Sequence, residues 1–231
     1  MRAIGVSRRQ SYWGRRIRRH LVLALVSGVL TGSILSFLQL KSLVFRVSMA
    51  SAYGGLVFLS ASLVIGPWNV LRGRPNPVST DLRRDIGMWA GLLGLAHVVA
   101  GLQVHLGGQF WLYFLYPPDQ PHGWPLRYDA FGVANFTGLG VTLVLALLLG
   151  LSNDFSLRAL GPRRWKALQR WNYAGFALVA AHGLAYQVIE KRELPFVGLF
   201  GGLVLVVVVM QLAGFRRMRT YGRHAGQETT Q

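Results

Sequence analysis

The sequence predicts an all-α membrane protein: a bundle of six transmembrane helices with both termini cytosolic. Three observations carry that expectation. The 231-residue chain is 52% hydrophobic and 14% charged, a balance that suits a multi-span protein and excludes a disordered one. Its apolar residues gather into six runs, each suited to crossing a hydrocarbon core roughly 30 Å thick. Its Lys and Arg fall almost wholly between those runs. A net charge of +17 would suggest nucleic acid in a soluble domain. Placed between spans it reads as a topology signal instead, and the expected partner is a lipid bilayer, with no nucleic acid. The absence of cysteine excludes disulfides, Cys-ligated clusters and thiolate ligation of iron.

Residues 1–20 hold seven arginines and read as a basic cytosolic segment. Ser7-Arg8-Arg9 is a faint twin-arginine pattern. The run that follows, Leu21 to Leu40, is long for a signal-peptide core and right for a span. Its Gly28-x-x-x-Gly32 pattern would let another helix approach closely. The second run goes from Ser48 to Leu71. Pro67 is expected to kink or close it, and Trp68 suits an interface. Arg72-Gly73-Arg74-Pro75-Asn76-Pro77 is a breaker-rich loop, and Ser79, Thr80 or Asp81 can cap the next helix.

The third run, Asp85 to Leu106, contains His97. Residues 107–129 are rich in aromatics and interrupted by Pro117, Pro118, Pro121 and Pro125, so an interfacial lid is expected there. The fourth run is Ala130 to Leu151, and a basic loop, Ser152–Arg170, follows. The fifth run, Trp171 to Ile189, contains His182. After the turn Glu190-Lys191-Arg192-Glu193 comes the sixth, Pro195 to Phe215, and then a basic cytosolic tail, 216–231. The membrane domain is thus expected over 21–215. Six spans put twenty of the 25 Lys and Arg on the side of the termini and leave Lys41, Arg46, Arg127, Lys191 and Arg192 for the other. That bias supports cytosolic termini and six as the span count.

The two histidines within apolar runs are the candidate site, because ionisable groups inside a bilayer mark function by default. His97 lies thirteen residues after Arg84, and His182 twelve after Arg170. At the helical rise these steps climb roughly 20 Å and roughly 18 Å from the cytosolic arginines. Both imidazoles therefore reach a similar depth, which is what two axial ligands to one haem iron require. Ala90, Gly94 and Gly101 share the face of His97 and would leave room for a flat macrocycle. Gly175, Ala185 and Tyr186 lie near that of His182. The competing reading of each histidine is a simple hydrogen-bonding group between helices. His105 is expected at the outer interface, and His20, His122 and His224 in solvent.

Arg83-Arg84-x-x-Gly87 before His97, and Leu160-Gly161-Pro162-Arg163-Arg164-Trp165-Lys166-Ala167-Leu168-Gln169-Arg170-x-x-Tyr173 before His182, resemble the ferric-reductase-like transmembrane domain. That superfamily includes the haem membrane subunit of the bacterial periplasmic methionine-sulfoxide reductase system and the membrane domains of NADPH oxidases. The resemblance covers roughly residues 48–215. It implies an oxidoreductase component in which His97 and His182 hold one b-type haem on the outer side. The family's second histidine pair would fall at Arg83 and Gln169, which are not haem ligands, so an inner haem is not expected. Nor does a Gly-rich phosphate loop follow a strand, so the electron donor is expected to be a separate molecule: a membrane quinol or another donor. The acceptor would be a periplasmic partner enzyme or ferric iron.

Two rival readings stand beside this one. In the first, the chain is a non-catalytic membrane anchor or haem-binding subunit that recruits a partner through Arg163, Arg164, Trp165, Lys166 and Arg170. In the second, it is a transporter with a relay histidine, a reading weakened by the lack of acids inside the runs.

Overall fold

The computed structural model describes the backbone of residues 2–74, 80–120 and 122–228, and the side chains of residues 13–74, 81–120 and 122–219. The expected turn at 75–79, the Thr80 cap and the side chains of Arg2, Arg8, Arg9 and His224 lie outside the described residues. Among the described residues seven α-helices follow one another: α1 Arg2–Phe37, α2 Leu43–Leu71, α3 Thr80–Gly101, α4 Ala130–Leu151, α5 Asp154–Gln169, α6 Trp171–Ile189 and α7 Leu194–Glu228.

Four of these are long and apolar enough to cross a membrane: 13–37 of α1, all of α2, all of α4 and 194–219 of α7. The histidine-bearing helices α3 and α6 do not reach that measure. Their sequences explain why. α3 opens on Asp81, Arg83, Arg84 and Asp85, and α6 carries His182, Tyr186 and Gln187 along one side.

Helix α2 is the axis of the fold. Of its most apolar stretch 72% is buried, against 11–17% for the other three long helices, and it packs on α1, α3 and α7. Small residues permit this. A side chain at Gly54 would press on Thr31 and Leu93, and one at Gly55 would meet the backbone of Ala90 and Gly94. Pro67 lies inside α2 without ending it; it packs against Gly214 of α7, where a Cβ would come within 2.9 Å. The second unit is the pair α4–α6, joined to the first chiefly through α3–α4. A side chain at Gly28 or Gly32 of α1 would meet no neighbour among the described residues, so no described helix makes the close approach that this pattern permits.

Two local expectations need correction. The third helix ends at Gly101, not Leu106. Its last turn tightens through Gln103 N–H to Ala100 O and Val104 N–H to Gly101 O, and the Tyr113 hydroxyl also donates to Gly101 O at 2.9 Å. The basic stretch after α4 is a helix rather than a loop. Asn153 caps it by accepting from Ser156 N–H at 2.7 Å, and the chain bends within it at Gly161, at φ 71° and ψ 160°, a conformation essentially confined to glycine. The terminal basic stretches continue α1 and α7 as helix.

At the arginine-rich end, Asp85 is fully buried and faces α1. Arg19 lies 3.2 Å away, and Arg16 and His20 each lie 3.6 Å away. His20 is not solvated as expected: Trp89 donates to its Nδ1 at 3.3 Å, which leaves the Nε2 face for Asp85. Nearby, Arg84 donates to Asp154 at 2.6 Å. That bond is the main reason the Asp154 carboxyl sits below the ordinary carboxylate range, against a smaller opposing effect of burial.

At the opposite end the lid is a small hairpin rather than a span. Leu115 and Leu126 bridge antiparallel, with Tyr116 N–H to Pro125 O at 2.9 Å and Arg127 N–H to Phe114 O at 2.8 Å. It ends on Asp129, which caps α4 through Gly132 N–H at 2.7 Å. A hydrogen bond from Arg127, foremost, holds the Asp129 carboxyl below its ordinary range.

Candidate functional site

His97 belongs to the last two turns of α3 and reaches toward α2. Its Nδ1 lies 3.0 Å from the backbone oxygen of Ser48 and 3.1 Å from the Ser48 hydroxyl. His182, in the middle of α6, reaches toward α4, and its Nδ1 lies 2.8 Å from the backbone oxygen of Ala134. A carbonyl oxygen only accepts, so each Nδ1 carries a proton and each Nε2 is left with its lone pair. An acceptor held against Nδ1 orients an imidazole and raises its basicity as a ligand.

The two rings lie close together, edge to face, with centres 6.3 Å apart and planes inclined at 69°. They share a cavity of about 310 Å³ lined by α2, α3, α4, α6, α7 and the lid. Glycines shape it around the rings. A Cβ at Gly138 of α4 would come within 2.8 Å of the His182 ring, whereas one at Gly101 would lie 3.7 Å from that of His97.

The cavity is two-ended. Toward the arginine-rich end of the helices its walls are apolar, with Leu56, Leu59 and Leu145. Toward the lid they carry Tyr53, His105, Asn135, Tyr186, Gln187 and Arg192. Tyr186 donates to Asn135 Oδ1 at 2.8 Å. Gln187 donates to the Tyr53 hydroxyl at 3.0 Å, which itself donates to Phe196 O at 3.1 Å.

Of the small residues expected beside His97, Ala90, Gly94 and Gly101 all line the cavity; Gly94 also opposes Leu145 closely. Gly175 does not line it and lies against Val144, between α4 and α6. His105, beyond the end of α3, is not merely interfacial: it lines the cavity and sits 3.1 Å from Glu190. His122 is exposed on the lid, stacked on Tyr116.

Arg83 donates to Ser62 O at 3.1 Å, beside Gly66, and Gln169 Nε2 is buried with no hydrogen-bond partner among the described residues. Neither lines the cavity. Trp165 also leaves the basic surface. It is buried and donates to Leu151 O at 2.9 Å, fastening α5 under α4 rather than presenting a docking face.

Sequence reading missed Gly138, Ser48 and Ala134. The last two act through backbone oxygens, which no residue type announces. Gly138 had a signal: Asn135, Gly138 and Thr142 recur at helical spacing and put small and polar groups on one face of α4.

No family model matches the chain, and no solved structure matches it. The chain is similar to the protein-methionine-sulfoxide reductase heme-binding subunit MsrQ of Rhodospirillum rubrum, at 26% identity over 171 residues, 73% of each chain. With the four membrane-length apolar helices, that similarity supports an integral membrane protein similar to MsrQ.

Proposed function

We propose that this chain is the haem-binding membrane component of an electron-transfer system and that His97 and His182 are the axial ligands of one b-type haem. The observation that carries the reading is the close pair of imidazoles, each fixed at Nδ1 by a backbone oxygen of a neighbouring helix. A metal–imidazole bond of about 2 Å on each side of one iron, with the ring's own half-width, puts two ring centres roughly 6 Å apart. The separation here is 6.3 Å. Among the described residues no three His, Cys, Asp or Glu come together as a metal cage. A pair of donors suits an iron whose other four nitrogens come from a porphyrin. The glycine-lined, largely apolar cavity suits such a flat body.

When bound, the haem iron supplies one-electron redox chemistry. The protein's residues supply the rest. The Ser48 and Ala134 oxygens hold the imidazoles in the ligating tautomer, Gly138 leaves the His182 ring unobstructed, and the apolar wall excludes water. We further propose that α3 and α6 also span the bilayer, giving six spans with cytosolic termini in a bacterial inner membrane. Their 22 and 19 residues are about 33 and 28 Å long, and the Lys and Arg bias agrees. In this arrangement the site lies in the outer half of the membrane. Electrons come from a lipid-soluble quinol and leave to a redox partner protein on the outer face, as the resemblance implies. The MsrQ relative is named as a subunit of a protein-methionine-sulfoxide reductase, and a reductase of that kind is the proposed partner.

The test is a reduced-minus-oxidised spectrum of the purified chain. The wild type is expected to show a b-type haem signal, and His97→Ala and His182→Ala each to lose most of it. A wild-type haem signal in both variants overturns the assignment. A colourless wild type under haem-replete expression favours the haem-free anchor.

A further inference from the structure

The lid-side end of the cavity holds polar groups that the ligation of an iron does not use. Arg192 is the one Lys or Arg on the cavity wall among the described residues. Its guanidinium lies over the Phe45 ring at 5.1 Å, and no carboxylate among the described residues forms an ion pair with it. On the same wall, Gln187 Oε1 is buried without a hydrogen-bond partner.

The turn that delivers Arg192 is strained. After α6 the chain closes a Schellman motif, with Arg192 N–H to Gln187 O at 3.1 Å and Lys191 N–H to Val188 O at 3.3 Å. The left-handed position, where glycine is usual, is filled by Lys191 at φ 46°, a conformation unfavourable for a side chain. The motif turns the chain back so that Arg192 reaches the cavity instead of continuing along the axis of α6.

A ligand that suits this cavity is therefore amphipathic. Its body is flat and apolar and it carries negative charge at the lid-side end only. A porphyrin has that form, with both carboxylates on one edge. We propose that Arg192 is the counter-charge for the porphyrin carboxylates and fixes the haem with its carboxylate edge toward the lid. The inference rests on the haem reading above and adds an orientation and an anchoring residue to it.

The experiment uses the full chain in detergent, loaded with iron protoporphyrin IX or with its dimethyl ester, which has no free carboxylate. Transfer of porphyrin to excess apomyoglobin gives the loss rate. Arg192→Gln is expected to lose the free acid about ten- to a hundredfold faster than wild type, the range of a charge-assisted hydrogen bond, and to lose the ester at the wild-type rate. Arg192→Lys falls between, and Arg72→Gln, which removes a guanidinium lying over Trp68, has no effect. Wild-type retention of the free acid by Arg192→Gln overturns the proposal. So does equal loss of acid and ester, because Arg192 would then act on the fold. Should Arg192→Gln not fold, the acid-to-ester comparison on Arg192→Lys decides in the same way. A wild-type chain that binds neither porphyrin sinks the haem reading itself, and this one with it.

Discussion

Ala134 has no functional side chain, yet its carbonyl determines which nitrogen of His182 is free. The same is true of Ser48 and His97, where the backbone oxygen acts and the hydroxyl is a second contact. Ser48→Ala should therefore leave haem content close to wild type, measured by pyridine haemochrome. The glycines give a sharper contrast. At Gly138 a methyl group would come within 2.8–2.9 Å of the His182 ring, whereas at Gly101 the nearest atoms lie at 3.5 Å or beyond. Overpacking of that kind costs about 1–3 kcal/mol. Gly138→Ala should lower haem content severalfold or more, and Gly101→Ala should lower it little. Equal behaviour of the two would show that the His182 ring is not confined from α4. The histidines themselves were legible from sequence, because charge-capable residues stand out in apolar runs. Their backbone partners were not, since every residue has a carbonyl.

Among the elements, α5 departs most from its sequence reading. A stretch dense in arginine and broken by Gly161-Pro162 suggests a loop, but an Asn153 cap and a buried Trp165 make it a helix. Two changes test what holds it. Gly161→Ala forces a side chain into a conformation confined to glycine and should cost about 1–3 kcal/mol. Asn153→Ala should cost about 0.5–2 kcal/mol through the lost cap. Both are read as a lower melting temperature in detergent.

The Arg84–Asp154 bond ties α3 to α5 and carries a pH signature. The folded-state carboxyl titrates below its ordinary value, chiefly because Arg84 hydrogen-bonds it. Its contribution is therefore present above about pH 4 and is lost as pH falls through the folded value. The carboxylate is 45% exposed, so solvent screening limits the pair to about 1 kcal/mol or less. The difference in melting temperature between wild type and Asp154→Asn should shrink as pH drops from 7 toward 3. A gap that widens would contradict the linkage.

For the whole molecule the question is which side each end of the bundle faces. A chain without cysteine suits single-cysteine mapping. In intact cells a membrane-impermeant thiol reagent should label Gly123→Cys on the lid and should reach Ser156→Cys only after permeabilisation. The reverse pattern would overturn the proposed topology and the outer placement of the site. Asp85 tests the other end. It is fully buried among Arg16, Arg19 and His20, and removing one partner from such a cluster costs about 3–5 kcal/mol. Asp85→Ala should reduce the folded yield strongly, with α1 released from α3.

The sequence by itself determined the helical class, the run boundaries of α4 and α6 to the residue, and the two histidines worth examining. Hydropathy and charge bias are written residue by residue, so one-dimensional reading recovers them. Tertiary structure alone decided which helix is central, which carbonyls hold the rings, that His105 and Arg192 share the cavity, and that Trp165 is buried. Each of these depends on which faces of separate helices meet, and lipid-facing and cavity-facing residues in an apolar helix look alike until its neighbours are in place.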